Sequence, residues 1–196
     1  MLREKDRPIL LKMNMAWSRM GKMRLRELKE KDAEGMLEWM HDPEVQKGFR
    51  FKGVEKDMDS VIDFIKQSDI QLINGRDIHY AIVDKSDEYL GTISLKNINL
   101  TDKKAEYAIS LRRSVQGQGI ATEATSRVLK LAFEVYGLER VYLNVLSDND
   151  RAIRLYERIG FVYEGAFRKH LFLRGEYKTL KWYSMLREEY QRKHHV

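Results

Sequence analysis

"SVQGQGIATEA", residues 114–124, sets Gly117 and Gly119 two apart, between a stretch that alternates like a strand and one that repeats like a helix. A Walker-type phosphate loop needs Gly, four residues, then Gly-Lys-Ser/Thr, and neither the lysine nor the hydroxyl stands in place here. The dinucleotide fingerprint G-x-G-x-x-G/A fails at its third position, where Thr122 stands. What remains is Gln116-Gly117-Gln118-Gly119-Ile120-Ala121 entering a helix at about Thr122. Two readings stay open: an anion site built from close-lying backbone N–H groups at a helix N-terminus, or a plain turn that uses glycine for positive φ.

Downstream, "TEATSRVLKLAFEVYG" puts Ala124, Val128, Leu131, Ala132 and Val135 on one helical face and stops at Gly137. "LERVYLNVL" reads as a strand. "NDRAIRLYERIG" reads as a second helix, with Asn149 or Asp150 as N-cap and Gly160 just past its end. Two strands follow, "FVYEGAFRKHLFL" and "KTLKWYSML", around the turn "RGEY". Upstream, "HYAIVD", "YLGTISLKNINL" and "KAEYAISL" have the spacing of an antiparallel meander. Before them, apolar residues at helical spacing predict two helices or helix pairs, the second running through Val61, Ile62, Ile65, Ile70 and Leu72 to a stop at Asn74-Gly75. The first strand is "MRLREL". This order predicts a mixed sheet with helices on its faces, an α/β (α+β) layer architecture.

Composition narrows the function classes. A chain of 196 residues with 43% hydrophobic and 34% charged residues is long enough for one globular domain with a sizeable core. It has no cysteine, which excludes disulfides, zinc–thiolate sites and a cysteine nucleophile. No apolar run approaches membrane-spanning length and the N-terminus lacks a signal peptide's apolar region, so the cytoplasm is the simplest location and no membrane partner is expected. The net charge is +6, but 36 Lys+Arg are interspersed with 30 Asp+Glu, as on solvated helix faces, and nucleic acid is not expected as a partner. Residues 1–22 read as an extension, either a basic amphipathic anchor or a loosely docked tail.

"QGQGIA" matches the Q/R-x-x-G-x-G/A signature of the GNAT acyltransferases, and the stretch from "AEYAISL" at residue 105 to "WYSML" resembles the RimJ/RimL-type branch of that superfamily. The resemblance covers residues 23–190, strongly after residue 105, and leaves 191–196 as a tail. It implies a mixed, mostly antiparallel sheet whose two middle parallel strands splay apart, helices on both faces, and acetyl-CoA as cosubstrate with its pyrophosphate on the Gln116–Ala121 loop. It implies no metal, and a homodimer stays open. The backbone of Ile109, Ser110 and Leu111 would pair with the pantetheine amides like an added strand.

Acetyl transfer to an amine needs a neutral nitrogen, a stabilised oxyanion and a proton for the departing thiolate. An alkyl ammonium has a pKa of about 10, so a base must take its proton. Glu106 alternates onto one strand face with the small residues Ala108 and Ser110; it is either the base, as the resemblance implies, or a solvent-facing strand carboxylate. Tyr156 shares a helix face with Ala152, Leu155 and Ile159. It is either a core tyrosine or, as the resemblance of "RLYERIGF" to the family's motif implies, the acid beside the CoA sulfur, with Ala152 on the same face lining the cofactor. Asn149 is either an N-cap or, by resemblance, a pantetheine hydrogen-bonder, with Asn144 a further candidate for such a contact. Arg112 and Arg113 either meet CoA phosphates or sit in water, His194 and His195 read as tail, and His170 is the histidine that could touch a substrate.

The resemblance implies that the acceptor is bound by the first helices and the last hairpin, here Trp39–Lys52 and Phe167–Tyr177, where aromatic Trp39, Phe49, Phe51, Phe167 and Phe172 stand beside Arg50, Lys52, Arg168 and Lys169. That mix suits an anionic or nucleotide-bearing amine better than a polycation, and the meander over residues 79–111 resembles acetyltransferases that modify nucleotide-linked amino sugars, so that acceptor class is expected first. A protein N-terminal amine comes second and a polyamine such as spermidine third. A non-catalytic acyl-CoA-binding module is the alternative of a different class.

Overall fold

A computed structural model of the protein describes residues 22–50, 53–68 and 70–194. The expected extension is therefore visible only from Lys22, and Phe51, Lys52 and His195 lie outside the described residues.

The chain builds β1 (Arg24–Glu27), α1 (Ala33–His41), the short α2 (Pro43–Gln46), α3 (Met58–Gln67), β2 (Ile78–Val83), β3 (Tyr89–Asn99) and β4 (Lys104–Leu111). It continues with α4 (Ile120–Lys130), β5 (Arg140–Leu146), α5 (Asp150–Ile159), β6 (Val162–Leu173), β7 (Glu176–Leu186) and α6 (Arg187–His194). The seven strands form one sheet in the order β1-β2-β3-β4-β5-β7-β6, antiparallel throughout except for the parallel pair β4–β5.

Period-two alternation splits the sheet's apolar residues between two cores. On β2, Ile78, Tyr80 and Ile82 join the main core with Ala124 and Val128 of α4, whereas Ala81 and Val83 turn to the other face, under Met36 and Trp39 of α1 and Val61 and Ile65 of α3. Helices therefore cover both faces, as the mixed-sheet reading requires.

Three boundaries differ from the sequence reading. α3 stops at Gln67: Ser68 takes an extended conformation and donates its hydroxyl to the Phe64 carbonyl at 2.7 Å. The chain then leaves the helix, with Leu72 buried in the main core, while Asn74 accepts the Leu100 N–H at 2.8 Å and Gly75 donates to the Ile98 carbonyl at 2.8 Å. Tertiary pinning to the end of β3 overrides the helical spacing of Ile70 and Leu72. α4 starts two residues before Thr122, with Gly119 as N-cap, and its last turn widens into a π-turn over Leu131–Val135 before Gly137. The domain end expected at residue 190 falls inside α6, which docks the buried Tyr190 with its hydroxyl 2.8 Å from Glu134 Oε1.

Candidate active site

β4 and β5 pair at only three positions, Lys104 with Arg140, Ala105 with Val141 and Glu106 with Tyr142. Beyond them each strand follows its other neighbour: β4 stays on β3 up to Leu111 with Gly91, and β5 stays on β7 up to Leu146 with Leu180. The sheet forks there, and the side of β4 that carries Ile109, Ser110 and Leu111 has no strand against it. The Leu111 carbonyl on this stretch accepts from the Gln116 side chain, and an extended ligand can pair with the rest of the edge as a strand would. The rings of Tyr107, Tyr156 and Phe161 pack within 6 Å of one another beneath the fork. The opening widens into a cleft of about 1330 Å³.

The Gln116–Ala121 loop forms one wall of that cleft. Gly117 and Gly119 have φ of +83° and +84°, values that side-chain-bearing L-residues rarely adopt. A Cβ built on either glycine would meet no protein atom within 4 Å, so the backbone of the loop is open to the cleft. Gln118 ties the loop internally, donating to the Ser114 carbonyl at 2.9 Å, and Gln116 donates to the Leu111 carbonyl at 3.1 Å while accepting from Arg151. Ile120 begins α4 immediately after Gly119, so the helix's unpartnered N–H groups lie beside the open glycines, an arrangement suited to a diphosphate.

Glu106 occupies the last paired position, at the crotch of the fork. It is 8% exposed, which removes the reading as a solvent-facing carboxylate: strands on both sides enclose it. Its Oε2 accepts from Asn97 Nδ2 at 2.8 Å; its Oε1 accepts from Asn144 Nδ2 at 3.1 Å and from Arg50 Nη2 at 3.4 Å. Asn144 thus orients the carboxylate, and its own Oδ1 is buried with no partner among the described residues.

Tyr156 is buried, packs edge-on to Tyr107 and lines the cleft. Loss of hydration pushes its hydroxyl up to about pKa 12, so it stays protonated at neutral pH and can give a proton. Asn149 is the N-cap of α5, accepting the Ala152 N–H at 3.2 Å; its amide nitrogen lies against Gly48 and faces the cleft, as Ala152 does.

Sequence reasoning missed several groups here. Asn97 sits at φ +49°, where the β3–β4 register shifts, and an asparagine in a strand that tolerates this conformation was the available signal. His79 is a second: its Nδ1 lies 2.8 Å from Ser94 Oγ on the cleft floor, and burial lowers its pKa against the raising effect of Asp77. Arg112 is not available to phosphates, because Glu38 and Glu88 hold its guanidinium at 2.6 and 2.7 Å. The hairpin residues Phe167, Arg168, Lys169, His170 and Phe172 do not line the cleft. They lie on the edge strand β6, where Phe167 pairs with Leu180 and Phe172 with Tyr177 of β7 and the register shifts between Phe167 and Leu171; Phe167 packs on His170 and Trp182. Only the hairpin tip, through Arg174, Glu176 and Lys178, reaches the cleft.

Residues 22–162 match the acetyltransferase (GNAT) domain family. The chain belongs to it. Among GNAT relatives, the spermidine N(1)-acetyltransferase of Vibrio cholerae is 32% identical over 111 residues, which are 57% of this chain and 64% of that protein. The ribosomal-protein-serine acetyltransferase of Escherichia coli is 30% identical over 105 residues, 54% of this chain and 59% of that protein. The match thus spans less than two thirds of either curated relative. The crystal structure of spermidine N-acetyltransferase from Vibrio cholerae in complex with CoA and spermine shares the GNAT fold at a TM-score of 0.76, with 24% identity over 86% of this chain and 98% of that one. The expected family and the forked sheet are both met.

Proposed function

We propose that this protein transfers an acetyl group from acetyl-CoA to a primary aliphatic amine by direct attack, with a polyamine of the spermidine type as its first acceptor. The observation that carries the reading is the fork: a strand edge without a partner, an open glycine loop at one end and a carboxylate at the other. In this reading the Gln116–Ala121 loop holds the pyrophosphate and the backbone of Ile109–Leu111 pairs with pantetheine, with Asn149 and Ala152 alongside. Glu106 takes the ammonium proton directly or through water, the neutral amine nitrogen bonds the thioester carbon, the C–S bond breaks as Tyr156 gives its proton to the thiolate, and the second proton leaving the nitrogen restores the Tyr156 hydroxyl, yielding the amide and CoA thiol.

The relatives support the polyamine acceptor over the nucleotide-linked amino sugar that the sequence reading puts first. The branch assignment within the superfamily rests on the resemblance together with the ribosomal-protein relative. The ribosomal-protein relative supports a second reading, the α-amine of a protein. Of the cleft's other acids, Glu44 pairs with Lys47 at 2.7 Å, whereas Asp148 and Glu176 share the single cation of Lys178 at 2.7 Å, which leaves one negative charge at the hairpin tip.

A side-by-side assay of CoA release with spermidine and with a peptide bearing a free N-terminal serine tests both. Higher kcat/KM on spermidine is the expected result; a preference for the peptide selects the second reading, and no turnover with either overturns the acetyl-transfer assignment.

A further inference from the structure

We propose that Arg50 is a specificity residue: its guanidinium occupies, from within the chain, the seat on Glu106 that an acceptor's ammonium takes, so that every cationic acceptor must displace it. The inference rests on the acetyl-transfer reading of the cleft.

Of the three donors on the Glu106 carboxylate, two are amides fixed by strands, Asn97 at the end of β3 and Asn144 on β5. Arg50 arrives on the loop after α2, makes the longest of the three contacts at 3.4 Å, and is the one cation within salt-bridge distance among the described residues. Lys96, directly opposite Glu106 on β3, forms no ion pair with it there.

The loop's main chain is fastened while the Arg50 head is not. Arg174, from the β6–β7 tip, donates to the carbonyls of Gln46, Lys47 and Phe49, and the Phe49 ring packs 5.2 Å from Trp39. The Arg50 side chain, by contrast, is 45% exposed. A guanidinium never loses its proton in the working range, so the competition it sets is independent of pH. Because the Arg50 end of the pair is 45% exposed while Glu106 stays buried, the guanidinium can swing into water as the ammonium takes its place, and an incoming ammonium meets a competitor rather than a barrier.

This displacement weakens acceptor binding. Arg50→Gln is therefore expected to lower KM for spermidine and for butylamine by about two- to fivefold, with the KM for acetyl-CoA as the reference that does not move. Arg50→Lys, which keeps the charge, should stay near the parent. Calorimetric titration of butylamine into parent and Arg50→Gln proteins reads the same competition without turnover, with melting temperatures confirming that both are folded. Tighter butylamine binding by Arg50→Gln supports the proposal even if no amine is turned over, in which case only the acetyl-transfer reading falls. A KM or dissociation constant that rises or stays level in Arg50→Gln overturns it.

Discussion

At the scale of single residues, the roles of Tyr156 and Glu106 follow from surroundings that the sequence states only in part. Helical spacing put Tyr156 on the buried face of α5, and that was legible; its place beneath a fork, beside Tyr107 and Phe161, depends on strands that part company far away in the chain. With its hydroxyl pushed up to about pKa 12, Tyr156 keeps its proton across the physiological range, as the proposed role of donor requires. Replacing it with phenylalanine removes the proton and keeps the ring packing. kcat is expected to fall about ten- to a thousandfold while acetyl-CoA affinity, read by titration calorimetry, stays within about twofold; an unchanged kcat would remove Tyr156 from the chemistry. Alternation placed Glu106 beside Ala108 and Ser110, but Arg50, 56 residues away, could not be foreseen as its partner because no local pattern encodes a contact at that separation.

At the scale of elements, hydrophobic period and turn residues gave the succession of strands and helices, because strands alternate and helices repeat whatever they pack against. Where tertiary pinning decided the outcome, as at the end of α3 and in the π-turn after Lys130, local pattern was silent. In the proposed reading the loop-to-α4 junction is the element that sets affinity for the cosubstrate. Gly119 needs φ +84°, which costs a β-branched residue about 1–2 kcal/mol. The new side chain would also stand in the open space before the helix N-terminus. Gly119→Val is expected to raise the KM for acetyl-CoA by at least about tenfold and to lower the melting temperature by a few degrees. A variant with the parent KM would reduce the loop to a turn.

At the scale of the whole molecule, the two cores on opposite faces of one sheet contain tyrosines that couple stability to alkaline pH. Burial pushes Tyr156 and Tyr136 up to about pKa 12, against about 10 in an unfolded chain. Between those values the unfolded chain loses protons that the folded one keeps, so the stabilising contribution is whole below pH 10 and drains away as pH rises toward 12. Melting temperatures are expected to be level from pH 7 to about 10 and to fall above it; a decline that begins near pH 8 would trace to other groups. The same scale gives the fork a mechanical meaning. Among the described residues three paired positions are the only ladder between β1–β4 on one side and β5, β7 and β6 on the other, so the two half-sheets hold together mainly through the main core packed against both, and whatever bridges the split also splints it. Amide hydrogen exchange along the inner edges of β4 and β5 would then report occupancy of the slot as rigidity, making the cosubstrate a load-carrying strand of the sheet.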